Sequence, residues 1–259
     1  MVLLSWTQSA DLDVRQGGKI RFRHAPAQTG ETWATSQEIG FAVAGSATEA
    51  TLPLKAGTYF ARPYDSLGIA ASTATSVAHD GSSILAYTTS ATATEHTGFA
   101  GTKSDVYVDT NVLYLGGDTL IDSVTDFDAI VDFDAAGGVS DTGTYTFANA
   151  ITFGSSTRVR LVSNVKTLIA NIKENIDERG NVDDWDDVDN SDTSAELDCQ
   201  VYFRSTQDDP AGSPTWTGYT KFQATEAKAR GFQFKAILSS DSDDYNIGVS
   251  ELSVKAETI

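Results

Sequence analysis

Apolar residues in the first 90 positions fall in short alternating runs, divided by clusters of Gly, Pro, Ser and Asp. Alternation with period two puts successive side chains on opposite faces of an extended chain, so this pattern predicts strands rather than helices. The strands it predicts are Leu4–Trp6, Ile20–His24, Ile39–Val43, Ala50–Leu54, Thr58–Tyr64 and Thr73–Ala78, at spacings that suit a β-sandwich. Residues 79–98 then thin out to Ser, Thr and Ala, with Ile84, Leu85 and Tyr87 the main apolar members. That stretch reads as a linker with one strand-like passage.

Patterning resumes at about residue 99 and continues to 257, beginning with Val106–Leu115 and a Gly116-Gly117 turn. Tyr145, Phe147, Ile151 and Phe153 follow as strand positions, and Arg158–Lys166 alternates Val159, Leu161 and Val165 with polar neighbours. From Thr167 the residues Leu168, Ile169, Ile172 and Ile176 fit helical spacing as well, so both a continued strand and a short helix over 167–178 stand open. Glu196–Ser205, Thr217–Ala224, Arg230–Ser239 and Val249–Ala256 restore the alternation, separated by the DDPAGSP and DSDDYN loops. The chain is therefore expected to be all-β, with two tandem β-sandwich domains at 1–80 and 99–259 joined by a linker at 81–98.

Charge narrows the partners. Lys and Arg number 18 against 36 Asp and Glu, a formal charge of −18 that repels phosphate backbones and anionic membrane surfaces. Nucleic acid is not an expected ligand, and no window approaches the ~20 apolar residues of a membrane span, so no membrane insertion is expected. Cys199 is the sole cysteine, which excludes an intrachain disulfide and a Cys-based zinc site. The opening MVLLSW has neither the basic start nor the apolar run of a signal peptide, so synthesis in the cytosol is expected.

Residues 174–198 hold eleven acids and one Arg, a density that belongs in a solvated loop. Asp184, Asp186, Asp187 and Asp189 in this loop offer enough carboxylates for a Ca2+ site. The EF-hand template fails, however: with Asp187 as its first position, Asp192 stands where Gly is needed and Asp198 where Glu is needed. Trp185 sits in the middle of this polar run, either packed back on its own sandwich or presented to a partner or a sugar face. Trp216 and Tyr219, after the DDPAGSP loop, are further candidate ligand contacts, and so are Tyr245 and Asn246 in the DSDDYN loop.

Catalytic machinery is not expected. His24, His79 and His96 are scattered without acidic or nucleophilic spacing, and no GxSxG segment is present. The Gly pairs at 17, 116 and 137 open no helix after a strand in phosphate-cradle spacing and read as turns. Cofactors are not expected apart from the Ca2+ option.

The segment TEATLPLKAGTYFARPYDSLGIAAS, Thr48–Ser72, resembles the E and F strands of a fibronectin type III module. Leu52, Leu54, Tyr59 and Gly68 stand where that module has its corner and turn residues, and Trp6 suits its strand B tryptophan. The resemblance implies a module lacking strand A, because only five residues precede Trp6. Strand A is then absent or supplied by a neighbouring chain.

The second block is similar to the C-terminal region of siphophage tail-tip host-specificity (central tail fibre) proteins. Val124–Phe147, Ser205–Phe222 and Arg230–Val254 carry the likeness. The last of these also resembles galactose-binding-like jelly rolls, in which an Arg-aromatic strand pairs centrally and an SEL-type strand closes the sandwich. The resemblance implies a structural virion component at the distal tail that serves tail assembly and host attachment. Its implied partners are other tail-tip and hub proteins, with a homotrimeric state. A receptor-binding module for a surface glycan or outer-membrane protein is the alternative, and an envelope polysaccharide hydrolase a remoter one.

Overall fold

The computed structural model describes residues 1–82, 87–116, 139–171, 197–242 and 245–258, and these are all-β apart from one helical turn. In the N-terminal part, strand β1 (Val2–Ser5) leads through the turn α1 (Leu12–Arg15) to β2 (Lys19–Ala25). Two short edge strands follow, β3 (Gln37–Glu38) and β4 (Val43–Ala44), then β5 (Glu49–Leu52), β6 (Ala56–Tyr64) and β7 (Thr75–Asp80). Strands β1 and β5 form an antiparallel pair, while β3-β2-β6-β7 make the second sheet with β4 also on β2. Ile20, Phe22, Ile39, Ala50, Leu52 and Tyr59 fill the space between the two sheets.

Five of the six strands expected here form close to their predicted places, and the sixth is interrupted. Ile39–Val43 is broken into β3 and β4 around an outward-turned Phe41, which is 91% exposed. The turn between β6 and β7 uses Gly68 at φ 88°, as its place in the sequence requires, with Asp65 Oδ1 accepting from the backbone of Leu67 and Ile69.

The remaining strands share one ten-stranded sheet with a separate core. They are β8 (Thr88–Thr94), β9 (Thr102–Ser104), β10 (Val106–Asp109), β11 (Val112–Leu115), β12 (Thr142–Thr146), β13 (Ile151–Asn171), β14 (Asp198–Thr206), β15 (Thr220–Lys221), β16 (Ala224–Ser239) and β17 (Tyr245–Thr258). Their order is β10-β11-β17-β13-β16-β12-β9, with β14 on β16, β15 on β14, and β8 on β17.

Three expectations are corrected or decided. The stretch assigned to a linker supplies β8, which pairs with β17 from Thr88 to Thr94 and buries Ala93. Its end is fixed by Glu95, a buried carboxylate that accepts from the Tyr145 hydroxyl at 2.5 Å and the backbone of Ala148 and Asn149. Burial and this hydrogen bond push the Tyr145 phenol pKa upward. Val106–Leu115, the run that opens the second patterned block, is a hairpin turned at Thr110 and Asn111 with φ of 46° and 65°. The open choice after Thr167 falls to the strand as far as Asn171, because β17 pairs along it; 172–178 lie outside the described residues.

The two cores meet across a dense set of polar contacts. Arg23 donates to the carbonyls of Trp33, Ser36 and Leu197, so one buried guanidinium ties β2 to the start of β14. Gln223 accepts from Gly40 N at 3.0 Å and donates to Glu38 O, while Glu38 N donates to Asp198 Oδ1 at 3.1 Å. Arg160 donates to Leu54 O and pairs with Glu257 at 2.9 Å. Lys166 meets Glu31, whose side chain is 1% exposed, at 3.1 Å.

Candidate functional site

Two features reach the surface with apolar or aromatic side chains. The first is a cavity of about 460 Å3 at the open side of the N-terminal sandwich, between β1 and the β6–β7 hairpin. Leu4, Trp6, Ile20, Tyr59, Ala61 and Val77 are among its lining. Val2 and Leu4 of β1 and Trp6 just after it pack against the core but stay only partly buried, since among the described residues β1 has a partner on one edge. Among the described residues β7 is likewise paired with β6 alone, and Leu3 and Val77 are 60% and 52% exposed at the rim. Two open strand edges flanking an apolar trough are the geometry into which one more strand fits. The indole of Trp6 donates to Ala47 O at 2.9 Å and packs 5.6 Å from the Phe22 ring, which holds the trough floor in place.

The second feature surrounds two of the expected ligand residues. Arg204 lies over the rings of Trp216 and Tyr219 at 5.3 and 4.9 Å, and Lys235 over Tyr219 and Tyr202 at 4.8 and 5.5 Å. All five side chains are half-buried. Register explains the cluster: Tyr202 pairs with Lys235 across β14–β16 and with Lys221 across β14–β15, so these three share one face. Arg204 pairs with Gln233 one step along the same face, and its Nε and Nη2 donate to Gln233 Oε1 at 2.9 and 2.6 Å. Only Thr220–Lys221 of the strand expected over Thr217–Ala224 is paired in β15, which leaves Trp216 and Tyr219 on the loop that lies over β14.

The other expected residues do not join this cluster. Asn246 is buried, and its amide bridges both backbone groups of Leu115 at 3.1 and 2.9 Å, a structural use of every contact it makes. Tyr245 is half-buried beside it at the start of β17, with its carbonyl accepting from Ser240 Oγ. β13 and β16 stand between β17 and β14 in the sheet. Trp185, Asp184, Asp186, Asp187 and Asp189 lie outside the described residues, and among the described residues no group of three His, Cys, Asp or Glu could hold a metal.

The histidines occupy separate surroundings. His24 donates to Ala56 O at 3.0 Å, His79 Nδ1 accepts from Gly81 N at 2.8 Å, and His96 Nδ1 sits 3.2 Å from Leu252 O. No nucleophile stands beside any of them among these contacts. Burial raises the Cys199 thiol pKa well above its usual value, which makes it an inert core residue. Arg204 and Lys235 are the site residues the sequence reading missed; their signal was the outward position each takes in an otherwise alternating strand. No protein-family model matches this sequence, and no curated protein matches it either.

Proposed function

We propose that this chain is a non-enzymatic structural component of a bacteriophage tail tip or central fibre. Its N-terminal part is of fibronectin type III kind, with no strand A among the described residues, and its C-terminal part is a jelly roll of galactose-binding-like kind. The observation that carries the reading is the pair of edges, on β1 and β7, that have no partner strand among the described residues and lie on either side of an apolar trough. The sheet order supports the module: β1 beside β5 and β3-β2-β6-β7 opposite match its B-E and C′-C-F-G strands, with β1 in the place of B. Tyr59 supports it further, its hydroxyl tying back to Pro53 and Lys55 just upstream. In the second part, β16 lies between β14 and the β12–β13 line, and the Ser250-Glu251-Leu252 strand runs beside β13.

On this reading a neighbouring tail subunit contributes an extended segment to the trough, main-chain hydrogen bonds supply affinity, and alternate apolar side chains fill the cavity. The chain works as a homotrimer in the distal tail, contacting hub proteins and contributing to host attachment. Light scattering of the purified chain, alone and with the tail hub, tests this. Three chains per particle, or a complex with the hub, is the expected result. A single chain that ignores the hub removes the assembly role.

A further inference from the structure

We propose that the outward face of β14–β16, around Arg204, Trp216, Tyr219 and Lys235, binds an acidic polysaccharide whose pyranose rings carry carboxylates. This site lies in the second sheet and does not depend on strand docking in the first.

Three observations carry it. The first is charge. The chain has twice as many acids as bases, yet Lys221, Arg204 and Lys235 gather on one face, and none of them is in the ion pairs found among the described residues. Arg204 spends its Nε and Nη2 on a neutral amide, and contacts with aromatic rings leave its charge unneutralised. The face is a positive island that complements a carboxylate.

The second is the aromatic content. Tyr202, Trp216 and Tyr219 are half-exposed between these cations, so a sugar ring can stack on apolar ring surface while its carboxylate reaches an ammonium or guanidinium a few ångströms away. The third is shape. Lys235 pairs onward with Thr146, and Thr146 with Thr102, so the row continues across β12 and β9 as small hydroxyl side chains. A flat face of rings, cations and hydroxyls accepts an extended polymer laid across the strands. A peptide added as a further strand would need a free edge, but at Tyr202 β14 has β15 along one edge and β16 along the other, and polyglutamate below tests binding by charge alone.

The test is retention of the full chain by immobilised polygalacturonate and by polysialic acid, beside methyl-esterified polygalacturonate, polyglutamate and oligothymidylate. The expected result is retention by at least one carboxylated polysaccharide, weakening as salt rises, and weaker by roughly tenfold on the uncharged ester. Trp216→Ala and Lys235→Gln should each lower that affinity roughly tenfold, with melting temperature unchanged, while Lys235→Arg retains it. Retention by neither carboxylated polysaccharide overturns the proposal. Equal retention by the ester, by polyglutamate or by oligothymidylate overturns it too, as does full binding by a folded Trp216→Ala variant.

Discussion

Tyr59 is 1% exposed, yet its hydroxyl is fully used: it donates to Pro53 O at 2.7 Å and accepts from Lys55 N at 2.7 Å. Burial therefore raises the phenol pKa to about 12 without leaving the group unsatisfied. Tyr59→Phe keeps the ring and strands a buried N–H and a carbonyl, so a loss of about 1–3 kcal/mol is expected in urea unfolding. No change would mean that this corner is held by packing alone. The neighbouring His24 ring, 4.9 Å from Tyr59, has its pKa pushed down to about 2 by burial and then by the charge of Lys55. Below the unfolded value of 6.5 the unfolded chain takes a proton that the folded chain refuses. Stability is thus unaffected by His24 above pH 6.5 and falls as pH drops below it, at about 1.4 kcal/mol per pH unit. Wild type should lose about 2 kcal/mol more than His24→Gln between pH 7 and 5, and parallel pH profiles would contradict this. Lys55, lowered to about 7 by burial and then by Arg160, acts with the same sign in a higher window, stability rising with pH from 7 toward 10.5.

Among the elements, β1 and β7 each leave one edge without a partner strand among the described residues, beside a cavity. Appending an eight-residue segment of alternating Val and Thr to the N-terminus through a Gly-Ser linker should therefore raise the melting temperature and protect β1 amides from exchange. An unchanged melting curve would show that the trough takes no strand. How far the elements were legible follows from how much each one buries. β16 and β17 alternate strongly because both pack on the large core, and their cores were plain in the sequence. The stretch holding β8 was read as a linker with one strand-like passage because TTSATAT buries only Ala93, so its alternation is nearly silent. Val106–Leu115 was legible as a patterned run, whereas its division into β10 and β11 rests on Thr110 and Asn111, which adopt positive φ without a glycine to announce the turn. Leu168 and Ile169 fit helix and strand alike until β17 supplied a partner. Trp216 and Tyr219 were visible as aromatics beside a loop, whereas Arg204 and Lys235 came to them through register between strands far apart in sequence.

At the scale of the whole molecule, the N-terminal pair of sheets and the ten-stranded C-terminal sheet have separate cores and could move independently, since interfaces between domains are often modest and polar. Here the contacts between them are polar but buried and interlocked. Arg23 serves three carbonyls from both sides, Gln223 uses its oxygen and its nitrogen on neighbouring residues of the β3–β4 edge, and Arg160 reaches Leu54 O while paired with Glu257. Breaking the junction would leave several of these groups buried without partners, at a cost of about 1–3 kcal/mol each, so separation is opposed more strongly than its area implies. The two parts should unfold together in a single calorimetric transition, with calorimetric and van't Hoff enthalpies equal. Gln223→Ala combined with Arg23→Met removes the donors while leaving both cores intact, because neither side chain belongs to the apolar clusters. That variant should split the transition in two, the N-terminal part melting first because its core is smaller and its edges are open. Two transitions already present in the wild type would mean that the junction orients the parts without coupling their stability.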